Sequence, residues 1–325
     1  MKGQGLKMEP VRVIQAPGTR LETLTPLPQS LNPARAPWWE RNIQYLLPIP
    51  TLLLLLLYVV YPTITTIEYS LNHVAITSDG LTMRFTGLDN FARSFRDPFI
   101  ANAARITLEW VVVVTLAEVL LGLGLALLVS SGIRWRGPII SLLMIPIVLP
   151  PVSVSVAWRF SYQEQFGVYN YLLSLVHLGP VRWLSDRNIA LYSVMLTDVW
   201  QATPFVFLLL LAGLQAMPSD PFEAAAIDGA TPWQVFRTIT IPLLRPTLLV
   251  VVLLRTIDAA RIFDKIFVMT NGGGPGTATE TLTMSIFKTA FIQFDFGYAA
   301  ALSLLFQILL VILGTIYVRR VLKEG

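Results

Sequence analysis

The residues in this chain whose types and spacing suit chemistry are acids and bases set inside apolar sequence. Glu109 and Glu118 lie in one apolar run, Asp198 in another, and Arg255, Asp258, Arg261, Asp264 and Lys265 crowd a third. At the centre of a membrane helix each such group costs about 2.5–3.5 kcal/mol on insertion scales, so each demands a partner or a wet cavity. Glu109 and Glu118 are about half a helical turn out of phase and face different surroundings. The deeper Glu118 is expected to share a cavity with the third run. There, Arg255, Asp258, Ile262 and Lys265 follow one helical face, and Asp258 is within reach of Arg255 and Arg261. Catalysis would need a nucleophile and a base at one depth. The chain has no Cys, and its two histidines, His73 and His177, lie between apolar runs without ligand spacing.

A glycine-rich stretch, Gly272, Gly273, Gly274 and Gly276, invites comparison with a phosphate cradle. No Gly-Lys pair occurs in the chain, so the Walker A pattern fails. The stretch reads as a tight turn in which glycine takes positive φ and Pro275 stiffens the backbone.

Apolar runs must position these groups. Of the 325 residues 54% are hydrophobic and 14% charged, whereas soluble domains carry about 25% charged residues. Six runs, near 43–67, 100–130, 138–161, 189–215, 246–270 and 283–318, have the roughly twenty residues that cross a bilayer. The expected fold is therefore all-α, a polytopic membrane protein with six transmembrane helices. An even count leaves both termini on one side. That side holds Lys2, Lys7, Arg12, Arg20, Arg35 and Arg41, then Arg134, Arg136, Arg237, Arg245, Arg319, Arg320 and Lys323. Opposite lie only Arg84, Arg93, Arg96, Arg182 and Arg187, so both termini are expected in the cytoplasm. The net charge of +4 follows this membrane pattern and does not point to nucleic acid. Residues 1–37, rich in proline and without apolar period, read as an unfolded cytoplasmic tail, and 38–325 as the transmembrane domain. The tail is not a signal peptide, and the first run is expected to stay in the mature protein.

Between the fourth and fifth runs, Ser219 to Pro242 reads as two short helices meeting at a bend. Asp220 is expected to cap the first, with Pro221 at its first position and Glu223 reaching back to the cap. Gly229 supplies a left-handed stop, and Thr231, Pro232 and Gln234 start the second helix by the same rules. Glu223, Ala224, Ala225, Gly229, Ile239 and Pro242 fall on the pattern E-A-A, three residues, G, nine residues, I-x-L-P, with Ile241 in place of Leu. This stretch resembles the coupling helix of ABC-type importer permeases. Three further stretches are similar to the carbohydrate-importing branch of that family: Phe85 to Ala103, Phe166 to Leu173 after Trp158 and Arg159, and Met269 to Leu282 followed by Phe296 to Leu302.

The resemblance implies a permease subunit that is no enzyme itself and takes its energy from another polypeptide. ATP and Mg would sit on a cytoplasmic ATPase dimer docked at Glu223, Ala224, Ala225, Asp228 and Gly229. A second permease subunit would complete the path, and an extracytoplasmic binding protein would deliver cargo. The expected substrate path comprises Glu118, Asp198, Gln201, Arg261, Asp264 and Lys265. Arg255 and Asp258, which many such permeases carry whatever the cargo, read as a structural ion pair or gate hinge. Asp198 also fits a helix-packing pair, while Gln201 and Trp200 offer an amide and a stacking face. The family's cargo implies a carbohydrate, here an oligosaccharide such as an α-linked disaccharide, and a polyol or glycerophosphodiester asks for similar groups. An ion-coupled secondary transporter is the competing class. It would place its sites on broken, repeated helices, and the halves 43–161 and 189–318 show no self-similarity.

Overall fold

The computed structural model describes residues 38–77, 80–132 and 134–324. The expected unfolded tail, 1–37, lies outside the described residues. The chain divides into two units, the first ending at Tyr61 and the second beginning at Pro62. In its described part the first unit holds α1 (Trp38–Leu46), α2 (Ile49–Leu55) and a π-helical segment, Leu56–Val60. The Tyr61 N–H donates to the Leu56 carbonyl, five residues back. Pro62 follows at once. Its ring would clash with the carbonyl four residues earlier, and a widened turn moves that carbonyl aside.

The helix α3 (Tyr61–Ser70) spans the boundary, all but its first residue lying in the second unit, which then departs from the all-α expectation. Asn72–Thr77 (β1) and Gly80–Phe85 (β2) form an antiparallel pair, with Asn72 opposite Phe85 and Thr77 opposite Gly80. Val74 is fully buried, and the Asn90 amide holds the hairpin base by donating to the carbonyls of Ser70 and Asn72, both at 3.0 Å. Asn90 sits on α4 (Asp89–Ser94). Among the described residues the fold is predominantly helical with one hairpin.

Asp97 caps α5 (Pro98–Ser130) by accepting from the Phe99 N–H at 2.9 Å. The run expected as one straight span at 138–161 is two helices, α6 (Arg136–Val148) and α7 (Pro151–Ser161), bent by 93°. The cause is local. Pro150 and Pro151 lack N–H groups, and Leu149, ahead of Pro150, is driven to extended geometry at φ −75°, ψ 134°. After α8 (Val168–Leu175) comes α9 (Ala190–Gln215), the most buried of the candidate spans. The short α10 (Asp220–Ile227) and α11 (Pro232–Val235) precede a second π-helical segment, Phe236–Thr240, again two residues before a proline, Pro242. From it α12 (Ile241–Ala260) continues, followed by α13 (Asp264–Met269). The last expected run, 283–318, is also two helices, α14 (Leu282–Phe291) and α15 (Phe296–Glu324). Among the described residues five stretches can cross a membrane by length and composition: Asn42–Ser70, Pro98–Ser130, Ala190–Gln215, Pro232–Met269 and Phe296–Arg320. The bent pair α6 and α7 makes a sixth if counted as one.

The core is organised around α9. Toward one end it contributes Val194 and Met195 to a cluster with Trp110 of α5, Tyr162, Ile266 of α13 and Met284 of α14. Toward the other it contributes Val206, Phe207 and Leu210, packed on Ala126 and Val129 of α5 and Leu244 and Val251 of α12. Small residues permit the close approach. A Cβ on Gly122 would stand 2.6 Å from Val206 Cγ1, and one on Gly213 would stand 2.9 Å from the Thr247 side chain.

This contact yields a discriminating pair of variants. Gly122→Val should overpack the α5–α9 contact and destabilise the protein by about 1–3 kcal/mol. Gly124→Val, two residues away with open space around its Cβ, should change stability far less. Thermal unfolding of the purified protein in detergent measures both, and equal losses would remove the close contact as the cause.

Candidate functional site

Two regions combine exposed or charged side chains with a defined local geometry. The first is the elbow after α9. Its entry differs from the expected cap: Ser219 occupies the cap position in helical geometry without a side-chain cap bond, and Asp220 already lies in the first turn. The reciprocal bond from Glu223 is therefore not formed. Both carboxylates instead stand in the first turn, where they complement the helix dipole.

The exit and the second start follow the sequence closely. Gly229 has φ +68°, the Ala230 N–H reaches back to the Ala225 carbonyl at 2.9 Å, and the Gly229 N–H to Ala226 at 3.3 Å. These are the two bonds of a Schellman stop. Thr231 then forms a capping box: its N–H donates to Gln234 Oε1 at 2.7 Å, and its Oγ1 accepts from the Gln234 N–H at 3.4 Å. The second helix is not a separate short piece, because α11 runs through the π segment into α12.

Of the five residues expected at a docking surface, Glu223, Ala224, Asp228 and Gly229 are exposed, while Ala225 is buried and faces inward. Two residues the sequence reading passed over stand out beside them. Ile227 is 87% exposed, and Trp233, stacked on Phe236, is 66% exposed. The available signal was a pair of large apolar side chains in an otherwise polar segment.

The second region is the charged cluster. Arg255, on α12, donates to both oxygens of Glu118, on α5, from Nε at 2.5 Å and Nη2 at 2.9 Å. Its Nη2 also reaches Asp198 of α9 at 3.4 Å, and its Nη1 pairs with Asp258 one turn along α12. Lys265 of α13 closes the set on the other Asp198 oxygen at 2.8 Å. Glu118, Asp198, Arg255 and Lys265 are all buried and their formal charges cancel, whereas the Asp258 side chain is 74% exposed.

This geometry redistributes the expected path residues. Asp198, Gln201 and Lys265 come together, with Arg255 and Asp258, around a cleft of about 430 Å³. Glu118 is fully buried behind Arg255, so its carboxylate is not on the cleft surface. Arg261 lines a different, larger groove with Ile257, Thr283 and Gln307, and Asp264 is exposed on the first turn of α13. The face drawn through residues 255–265 fails because α12 ends at Ala260 and Phe263 leaves helical geometry at φ −137°. Thr281 and Thr283 cover the break by donating to the Ile262 carbonyl.

Gln201 links the cleft to the bent pair. Its Nε2 donates to the Leu149 carbonyl at 2.9 Å, where the α6–α7 bend has left an acceptor without a helical partner, and its buried Oε1 has no protein partner. Trp200 lies 5.4 Å from Trp158, at the edge of an aromatic cluster with Tyr162, Tyr169 and Trp183. Burial holds the Tyr169 phenol above its ordinary pKa.

A model of the family described as binding-protein-dependent transport system inner membrane component matches residues 118–323. Over 281 residues the chain is 36% identical to the trehalose/maltose transport system permease protein MalF of Thermococcus litoralis, covering 86% of this chain and 94% of that protein. It is 35% identical over 280 residues to the sulfoquinovosyl glycerol transport system permease protein SmoG of Agrobacterium fabrum, covering 86% and 90%. Among solved structures, a chain of a bacterial ABC transporter involved in the import of the acidic polysaccharide alginate superposes with a TM-score of 0.77. The two are 19% identical, and the match covers 88% of this chain and 97% of that chain, a likeness of fold.

The charge balance generates a double-variant test. Glu118→Leu alone leaves Arg255 short of its bidentate partner in the apolar interior and should cost about 3–5 kcal/mol. Combining it with Arg255→Leu removes one charge of each sign, leaves Asp198 with Lys265, and should restore more than half of that loss. Thermal stability of the two variants in one detergent checks the coupling, and additive losses would contradict it.

Proposed function

The chain belongs to the family of binding-protein-dependent transport system inner membrane components, and from that premise we propose that it forms the carbohydrate path of an ATP-driven importer and is driven through its elbow. A member of this family is a transport component and not an enzyme. The proposal places ATP and Mg on a separate cytoplasmic ATPase dimer, with a second permease subunit beside this one and a binding protein at the end that carries the glycine-rich loop. The lysine and arginine bias supports an elbow and both termini in the cytoplasm.

One observation carries the coupling: the exposed Trp233 and the buried Arg255 ride on helical backbone that runs without a break from Pro232 to Ala260. Twenty-two residues separate them, about 33 Å of helix. A push on the elbow is thereby delivered to the ion cluster that joins α5, α9, α12 and α13. The Schellman stop and the capping box stiffen the elbow, so it transmits displacement instead of absorbing it. Exposed Ile227 and Trp233 supply the apolar anchors that a protein interface uses, and Glu223 and Asp228 supply charge around them.

The cleft at Gln201 supports a polyhydroxylated cargo. The exposed Asp258 carboxylate on this cleft accepts from hydroxyls, and sugars carry many hydroxyls and no charge. A glycerophosphodiester would call for a spare cation, yet Arg255 and Lys265 are both engaged by carboxylates. This favours an uncharged oligosaccharide, an α-linked disaccharide among them, in line with the sugar named for the Thermococcus relative.

Reconstitution of the complex in liposomes with maltose, trehalose and maltotriose tests the reading. ATP-driven uptake of at least one is expected, and uptake of none would overturn it. Gly229→Val forces a β-branched residue into a left-handed position at a cost of about 1–3 kcal/mol. Trp233→Ala removes an interface anchor worth about 2 kcal/mol or more, a loss of at least thirtyfold in ATPase affinity. Both variants should insert normally yet release the ATPase or uncouple hydrolysis from uptake. Full coupled transport in both would remove the elbow from the mechanism. In the cysteine-free chain, Asp228→Cys should react with an impermeant maleimide only from the cytoplasmic side and Ser185→Cys only from outside.

A further inference from the structure

Another cleft, polar and of about 610 Å³, lies at the loop end of the bundle between the segment after α7 and the glycine-rich loop. Its volume falls within the range of about 300–1,000 Å³ typical of small-molecule sites. Its residues are distinct from those of the cleft at Gln201. We propose that this cleft binds one or two sugar rings before they descend, a first station on the path, with Gln163, Gln165 and Asn271 as the recognising side chains. The inference rests on the importer reading.

The walls are held rigid from behind. Thr279 Oγ1 bonds Thr270 Oγ1 at 2.8 Å and the Gly274 carbonyl at 2.9 Å, and the Thr270 carbonyl accepts from the Gly274 N–H at 2.9 Å. Gly273 has no room for a side chain, since a Cβ there would lie 2.8 Å from Glu280 Cβ. On the facing wall Arg159 is fixed by donating to the Val268 carbonyl at 2.7 Å. A site whose backbone is already fixed loses little entropy on binding.

The polar groups on this frame are unspent. The amides of Gln163, Gln165 and Asn271 and the Ser185 hydroxyl line the cleft, and among the described residues none of these side chains makes a hydrogen bond. An amide donates and accepts, as a sugar hydroxyl does, so three amides suit a ligand with several hydroxyls. An anion would call for surplus cation: of the two cations that line the cleft, Lys288 is paired with Glu280 at 2.6 Å, and the formal charge of Arg159 is offset by the Glu164 carboxylate on the same lining.

The position fits a sequential path. Lys265 lines the cleft at Gln201 and Met269 lines this one, four residues apart on α13. That is about 6 Å of helix rise, so the two sites sit on successive turns.

The test uses the full complex in liposomes with Ser185→Cys as the only cysteine, labelled from outside by an impermeant maleimide. Maltose, trehalose and maltotriose are the probes. The sugar that the complex takes up should slow labelling at least about fivefold. Asn271→Gly, which keeps the left-handed backbone at φ 52°, or Gln163→Ala should raise the sugar concentration needed for the same slowing about fivefold. Unchanged labelling in the presence of a sugar that is demonstrably taken up would overturn the station and leave the importer reading standing. Slowing by the sugar-free binding protein but not by sugar would make the cleft a protein-docking face and also overturn it. Equal protection in the parent and both variants would remove the recognising role of the amides. Absence of uptake for every sugar would instead count against the importer reading, and the station would fall with it.

Discussion

Four charges inside an apolar bundle are tolerable only when they cancel and are bonded to one another, and the arrangement of this membrane domain follows from that constraint. Glu118, Asp198, Arg255 and Lys265 come from four different helices, and each is held by at least one of the others. Moving any one of those helices separately would strand a charge in a medium that cannot solvate it. The cluster therefore joins α5, α9, α12 and α13 more selectively than apolar packing does, because packing tolerates sliding and an ion pair does not. The same logic explains why Asp258, the surplus acid, is the exposed member.

The breaks in the helices are compatible with this cluster because their polar backbone groups have been given partners. Gln201 serves the carbonyl at the α6–α7 bend, and Thr281 and Thr283 serve the one left at the end of α12. Without those bonds each break would expose an unsatisfied carbonyl to a water-poor interior. With them, the chain turns within the apolar zone and brings polar side chains to the edge of the Gln201 cleft. Irregular backbone and the candidate site thus occur together for a physical reason.

Much of the elbow was legible because its determinants are local. Gly229 and Thr231 act on backbone groups within five residues, and the structure has them doing so. Glu118 was legible as an ion needing a partner but not as the partner of Arg255, which stands 137 residues away and leaves no spacing to read. The face drawn through 255–265 assumed an unbroken helix, and nothing short of the tertiary bonds to Ile262 reveals the break. The hairpin was a readable signal overlooked: alternation in Val74 to Thr77, the turn-forming residue types Ser78, Asp79 and Gly80, and alternation again in Leu81 to Phe85. The right-angle bend was likewise written in Pro150 and Pro151, hidden by the expectation that a long apolar run is straight.

The π-helical segment Phe236–Thr240 bears on all of this through angle instead of distance. A π turn accommodates one residue more than an α turn, so it offsets the azimuth of everything that follows by about 100° relative to everything before. The side of the helix on which Trp233 faces outward is thereby uncoupled from the side on which Arg255 meets Glu118. Read as a plain α-helix, the sequence would aim one of the two in the wrong direction. The segment is a phase shifter: it lets one rigid rod present its outward surface at one bearing and its internal ion pair at another, with Pro242 just beyond it to hold the offset in place.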